Sequence, residues 1–305
     1  MKVGIGMFVT GYTVDPITMG RAIEDAGFDS IWVPDHTVVP VHPATKYPGA
    51  GDGIIPTLYG EMADPFVLLA YVGAATSRIR LATGVCLIPE RHPLTLAKAV
   101  GTLDNFSGGR VTLGVGVGWL PEETALYGTD FSTRWAYTRE AVTAMKALWE
   151  HGSASFEGKY INFPEVRCDP IPAQRPHPPV IIGSPGTDRT FDRIASWGDG
   201  WLPVMVPPSE VARARTALRE RCEKRGRDPG SIEITVFVMD VTRETQEAYE
   251  EAGADRIVVG IYNHPGTALP FEQWGPTRRH ALASPPPANG EVMRVLEQMH
   301  TLAGL

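Results

Sequence analysis

Short apolar runs, each followed by a longer stretch of helical spacing, recur along the chain. The first run covers residues 3–9, and a helix is expected from Asp15-Pro16 to Ala26, closed by Gly27. Proline in the first turn and glycine just past the last one are start and stop signals. A second run at residues 30–33 ends in Pro34-Asp35-His36. Asp64-Pro65 opens a helix over 66–76, and a third run follows at 78–83. His92-Pro93 leads into a helix to about Phe106, and Ser107-Gly108-Gly109 turns the chain into a fourth run at 111–115. Beyond a helix over 134–150, further runs lie at 180–182, 201–203, 232–238 and 255–260. The intervening helices span 188–197, from Ser209 (read as a cap) to about Gly226, and from Thr242 to near Gly253. The runs are apolar throughout, as expected of strands covered on both faces. Eight strands alternating with helices, without an evident linker, predict an α/β fold of the closed TIM (β/α)8 barrel type more readily than a doubly wound sheet.

Three stretches break the rhythm and are expected as insertions in a single domain spanning 1–305. Residues 37–62 are irregular and carry Pro40, Pro43, Pro48, Gly49, Gly51, Gly53 and Pro56. A loop this long inside a domain is usually functional or mobile, and it reads as a lid or substrate-binding excursion. Residues 152–179 hold a small hairpin, Phe156 to Phe163 with a turn at Gly158, and then a proline-rich track. Residues 261–289 are a third such stretch, with Pro265, Pro270, Pro276 and Pro285 to Pro287, before a final amphipathic helix from about Gly290.

Composition narrows the function. The 305 residues are 43% hydrophobic and 21% charged, ordinary for a globular protein. The net charge of −7, with no basic block, argues against nucleic-acid binding. Cys86, Cys168 and Cys222 are odd in number and scattered, which points to a reducing compartment and not to a disulfide framework. The apolar N-terminus lacks a cleavage region, and no apolar run approaches the ~20 residues of a membrane span. A cytoplasmic protein without membrane contact is expected.

In a barrel, sites form at the carboxyl ends of the strands. Asp35-His36 stands at one such end, where a histidine could move a proton near neutral pH or satisfy loop backbone. Thr83-Gly84-Val85 ends the third strand, and its glycine would let backbone approach a planar ring, or simply turn the chain. Gly114-Val-Gly116-Val-Gly118-Trp119 has GxGxG spacing, with no helix opening directly after it. It is therefore not the dinucleotide fingerprint; either tight packing or a ring-lined pocket wall explains it. Gly183-Ser184-Pro185-Gly186-Thr187 lies between a strand and a helix, where free backbone N–H groups and hydroxyls suit an anion, best a phosphate. No P-loop lysine accompanies it. Glu122-Glu123 could supply an acid to the mouth, whereas Glu250-Glu251 falls on a solvated helix. No His, Cys or acidic set has metal-ligand spacing.

Several segments resemble the luciferase-like monooxygenase superfamily, and more narrowly its actinobacterial deazaflavin-dependent oxidoreductase branch. They are Ala-Gly-Phe-Asp-Ser-Ile-Trp-Val-Pro-Asp-His-Thr, Ser-Arg-Ile-Arg-Leu-Ala-Thr-Gly-Val, Arg-His-Pro-Leu-Thr-Leu-Ala-Lys, Ser-Gly-Gly-Arg-Val-Thr-Leu-Gly-Val-Gly-Val-Gly-Trp, Pro-Pro-Val-Ile-Ile-Gly-Ser and Trp-Gly-Asp-Gly-Trp-Leu-Pro. They cover the first two thirds of the chain; the last hundred or so residues match in layout only. The resemblance implies a barrel whose mouth holds the deazaflavin coenzyme F-420 or, as the alternative, FMN. It places the ring against a bulge at Gly84-Val85, often with a non-prolyl cis peptide, and the phosphate on Gly183, Ser184, Gly186 and Thr187. It sets His36 beside the ring as the catalytic residue, with Asp35, Thr83, Gly116, Gly118 and Trp119 completing the cofactor site. Two departures stand out: Gly183-Ser184 where many members carry Gly-Gly, and Trp119 where sugar-phosphate dehydrogenases carry an acidic glutamate. The implied activity is hydride transfer between F-420 and a small organic substrate; the alternative is a two-component monooxygenase using reduced FMN and O2. Expected partners are that small-molecule substrate, a second copy of the chain in a homodimer, and a flavin or deazaflavin reductase supplying reduced cofactor.

Overall fold

Every barrel strand arises from one of the expected apolar runs. The computed structural model describes residues 1–11, 13–49, 53–261 and 289–305. Eight parallel strands close on themselves: β1 (Lys2–Gly6), β2 (Ser30–Val33), β3 (Arg80–Thr83), β5 (Val111–Gly116), β8 (Val180–Ile182), β9 (Gly200–Trp201), β10 (Glu233–Val238) and β11 (Arg256–Gly260). Closure is made where β11 pairs with β1, in the register Lys2↔Arg256. A further short strand, β4 (Cys86–Leu87), resumes beside β5 after β3 ends.

Helices α1 (Pro16–Asp25), α2 (Pro65–Ala75), α3 (Pro93–Phe106), α5 (Arg134–His151), α6 (Asp188–Trp197), α7 (Pro208–Glu223), α8 (Arg243–Glu251) and α9 (Asn289–Ala303) accompany the strands. Their ends follow local chemistry. Asp15, Asp64, Thr187 and Thr242 accept first-turn N–H groups as N-caps, and Gly152 closes α5 in the left-handed conformation. Ser209 is not a cap: Pro207 occupies that position and Pro208 begins α7. A six-residue helix, α4 (Pro121–Leu126), lies where the sequence shows no periodicity.

The inside of the barrel is layered. At the amino end Arg256, 1% exposed, pairs with Asp29 and Glu233. Above it pack Trp32, Ala82, Ile181, Leu202 and Val258, with Phe237 and Val85 against them. The hairpin of 152–179 consists of β6 (Ser153–Glu157) and β7 (Asn162–Arg167), longer than expected at both ends. It docks on α5, where Glu140 accepts the N–H groups of Tyr160 and Ile161. Within 37–62, residues Thr57–Gly60 form a 3-10 turn and Met62 bridges to Thr10. The expected 261–289 stretch lies almost wholly outside the described residues. No described helix is long and apolar enough to cross a membrane.

Candidate active site

The carboxyl ends of β2, β3, β5 and β8 converge on one side chain, Val85. The Gly84–Val85 peptide is cis, and Gly84 donates to the Val33 carbonyl at 2.7 Å. The Val85 methyls fill the space above Gly116 and Gly183, where a Cβ on either glycine would overlap them. A Cβ on Gly84 would lie 2.9 Å from the Phe237 ring. The expected ledge is therefore built by glycines that make room for Val85. The Thr83 hydroxyl donates to the Gly114 carbonyl at 2.7 Å and ties β3 to β5.

Asp35 lies behind this ledge. Its carboxylate accepts Arg91 Nε and Nη2, each at 2.8 Å, and the Leu87 amide at 3.1 Å. Arg91 also reaches Asp64, the N-cap of α2, at 2.9 Å, and lies over the Phe66 ring. The shared bonds hold Arg91 strongly protonated despite burial. Asp35 thus fixes the course of residues 84–91, and its oxygens point away from the mouth.

His36, the next residue, is 9% exposed. Its Nδ1 lies 2.7 Å from Glu123 Oε2, on α4. Nε2 makes no hydrogen bond among the described residues and is the ring atom left for a ligand. Glu123 in turn lies within hydrogen-bond reach of Glu90, in the 3-10 turn Ile88–Glu90. Burial pushes Glu90 up to about 9, with the Glu123 carboxyl adding to the rise, and burial pushes Glu123 up to about 7. Burial likewise holds His36 below the usual imidazole value, opposed by Glu90 and Asp35.

An aromatic wall closes the site. Trp119 meets His36 at 6.1 Å, Tyr47 at 5.5 Å and Tyr59 at 6.2 Å between ring centroids. The Tyr47 and Tyr59 hydroxyls are 2.7 Å apart, and Tyr59 meets the His36 ring edge-on at 4.9 Å. Both tyrosines belong to 37–62, so this segment lies over His36. Glu122, the other half of the acidic pair, accepts the Ala44 and Thr45 amides at 2.9 Å and fastens the segment. Gly118, at φ 74, turns the chain so that Trp119 reaches the wall.

Ser184, Gly186 and Thr187 sit beside the ledge, at the N-terminus of α6. The Ser184 and Thr187 hydroxyls both meet Thr190 Oγ1, at 3.1 and 3.0 Å, and Trp201 Nε1 donates to the Ser184 carbonyl. The Gly186 carbonyl accepts from Arg213 at 2.5 Å. On α6, burial lowers Arg193, and Arg189, on the same helix, and Arg134, at the start of α5, are close enough to disfavour its charge further. None of the three is paired with a carboxylate among the described residues. Arg134 Nε is buried without a partner among the described residues, and Arg193 covers the Trp135 ring at 4.0 Å.

The structure therefore gathers Asp35, His36, Thr83, Gly84, Val85, Gly116, Gly118, Trp119 and Gly183 around one mouth, with Ser184, Gly186 and Thr187 along its side. Sequence reasoning assigns no role to Glu90, Arg91, Tyr47 or Tyr59. A glutamate between Pro89 and Arg91, next to an apolar run, is the one signal that singles out Glu90. The tyrosines lie in an irregular segment where no period reveals which side chains face the barrel.

The luciferase-like monooxygenase family model matches residues 14–294. An uncharacterised Mycobacterium tuberculosis protein is 40% identical over 264 residues, covering 86% of this chain and 92% of its own. A phthiodiolone/phenolphthiodiolone dimycocerosates ketoreductase of Mycobacterium tuberculosis is 31% identical over 268 residues, 85% of this chain and 67% of that protein. Among solved structures, a monooxygenase from Streptomyces bottropensis superposes with TM-score 0.69 at 22% identity, over 99% of this chain and 98% of that one. An F-420-dependent secondary alcohol dehydrogenase, in complex with an F-420–acetone adduct, superposes with TM-score 0.67 at 20% identity, over 85% of this chain and 93% of that one. The two likenesses concern the barrel fold.

Proposed function

The chain belongs to the luciferase-like monooxygenase family, and on that premise we propose that it is an F-420-dependent oxidoreductase acting on an apolar carbonyl or alcohol. The observation that carries this reading is His36: one ring nitrogen is held by Glu123 and the other is left for a ligand. Reducing a carbonyl adds a hydride to carbon and a proton to oxygen. When bound, the coenzyme supplies the hydride chemistry. His36 Nε2 gives the proton to the substrate oxygen, or takes it from the alcohol in the reverse direction.

The residues present fit a deazaflavin. Val85, clasped by two glycines that admit no Cβ, offers a ring ledge, and Trp119 and Tyr59 pack against the His36 ring. The turn at 183–187 suits a phosphate. Arg134, Arg189 and Arg193 suit a further anionic tail, which F-420 has and FMN lacks. The rim is apolar: Val38, Val204, Met205 and Met239, at the ends of β2, β9 and β10, are 46%, 61%, 61% and 41% exposed. Carbonyl reduction also fits the ketoreductase relative at 31% identity.

The test is turnover of reduced F-420 with a panel of apolar ketones, followed by absorbance. Oxidation of the coenzyme that depends on the ketone is the expected result. Oxygen uptake with reduced FMN, and no reaction of reduced F-420 with any ketone, would replace this reading by the monooxygenase one.

A further inference from the structure

Glu90 is 2% exposed, and among the described residues neither of its oxygens has a hydrogen-bond donor; Glu123 Oε1 is likewise buried without one there. The two carboxyls nevertheless lie within hydrogen-bond reach of each other. Two ionised carboxylates cannot bond, because both only accept. One proton resolves the arrangement. Carried by Glu90, it gives Glu123 Oε1 a donor, while Glu123 Oε2 remains with His36 Nδ1. The turn around Gly118 encloses the group, since a Cβ there would come within 3.1 Å of Glu90 Oε1.

We propose that Glu90 is a positioning residue held as a neutral acid, whose proton bridges to Glu123 and so poises the carboxyl whose ionisation decides which nitrogen of His36 carries hydrogen. The idea rests on the role given to His36 above. The direction follows from the surroundings. Burial and the facing Glu123 carboxyl keep the Glu90 proton on, to about 9. Asp35 adds negative charge from the end of β2, His36 opposes it, and Tyr127 faces the same acids from the end of α4. Arg91 stands beside them but is bonded to Asp35 and Asp64.

The pair titrates as a unit. Below about pH 7 Glu123 is also protonated, gives its hydrogen to His36 Nδ1, and leaves the ring hydrogen on Nε2. Above it Glu123 is a carboxylate, His36 carries hydrogen on Nδ1, and Nε2 presents a lone pair. The same histidine is thus a proton donor for carbonyl reduction on the acid side and an acceptor for alcohol oxidation on the other. The Glu90 proton keeps Glu123 able to make that change without placing two negative charges together.

Infrared titration of the cofactor-free protein in heavy water tests this directly. The wild type should show a protonated carboxyl at about pH 8, lost near 9 and absent in Glu90→Gln. No such band above about pH 7, or one that survives in Glu90→Gln, overturns the proposal. In turnover, Glu90→Leu should move the ionisation near 7 upward, because Glu123 loses the donor that favours its charged form, whereas Glu90→Gln, whose amide still donates, should leave it in place. A profile that does not rise in Glu90→Leu, or that rises equally in Glu90→Gln, overturns the proposal. The infrared arm needs no cofactor, so a failure of the F-420 reading would leave the band in place.

Discussion

His36 separates chemistry from binding, because its Nδ1 bond to Glu123 is structural and its Nε2 is not engaged among the described residues. His36→Ala should slow turnover by about 10²–10⁴-fold, the usual share of a positioned acid or base. Cofactor affinity should change far less, and equal losses in both would remove His36 from the proton-transfer step. Gly183 makes a different demand, since its Cβ would overlap Val85. Gly183→Ala should destabilise by about 1–3 kcal/mol through overpacking. Val85→Ala in the same chain should return part of it, which a double-mutant cycle in urea reads directly. Asp35 and His36 are conspicuous in the sequence because they end an apolar run, yet the same run does not reveal that Asp35 turns inward to Arg91. Glu90 is 33 positions from Glu123 and 54 from His36, and only barrel closure and the turn at 88–90 bring the three together.

The strands Ser30–Val33 and Val180–Ile182 and the helix Asp188–Trp197 fall where periodicity expects them, because two-sided burial and strong caps leave few alternatives. Helix α4 shows no period because six residues make less than two turns, although Pro121 and two acidic residues mark its start. The segment 37–62 is recognisable as an excursion, but its attachment is legible only from long-range pairs such as Tyr47 with Tyr59 and Glu122 with Ala44. Releasing it with Glu122→Ala should raise KM severalfold while kcat falls less, since Glu122 touches loop backbone and not His36. A drop in kcat alone would contradict that role. One guanidinium, that of Arg91, joins the N-cap of α2 to Asp35 at the end of β2. Asp35→Asn should cost about 3–5 kcal/mol in urea unfolding, as for breaking a buried pair.

Across the molecule, the barrel keeps its charged plug at the amino end, around Arg256, and its titrating acids at the mouth. The acids set a pH dependence of stability. Both Glu90 and Glu123 have folded values raised above 4.5, to about 9 and about 7, so the native state holds their protons more tightly than the unfolded chain. Their contribution is fully present below about 4.5 and is lost as pH rises toward 9. The urea midpoint of the wild type should therefore fall over that window more steeply than that of Glu90→Gln. Parallel curves would show that Glu90 does not titrate in the folded state. The arginines at 134, 189 and 193 bear on the central claim, because they gather positive charge in a chain of net charge −7. The most direct measurement is calorimetric titration of the purified protein with F-420 and with FMN in parallel. The account predicts that F-420 binds at least about tenfold more tightly, a difference of ~1.4 kcal/mol that shrinks when Arg189 and Arg193 are both changed to Ala. Tighter binding of FMN, unchanged by removing the two arginines, would contradict it.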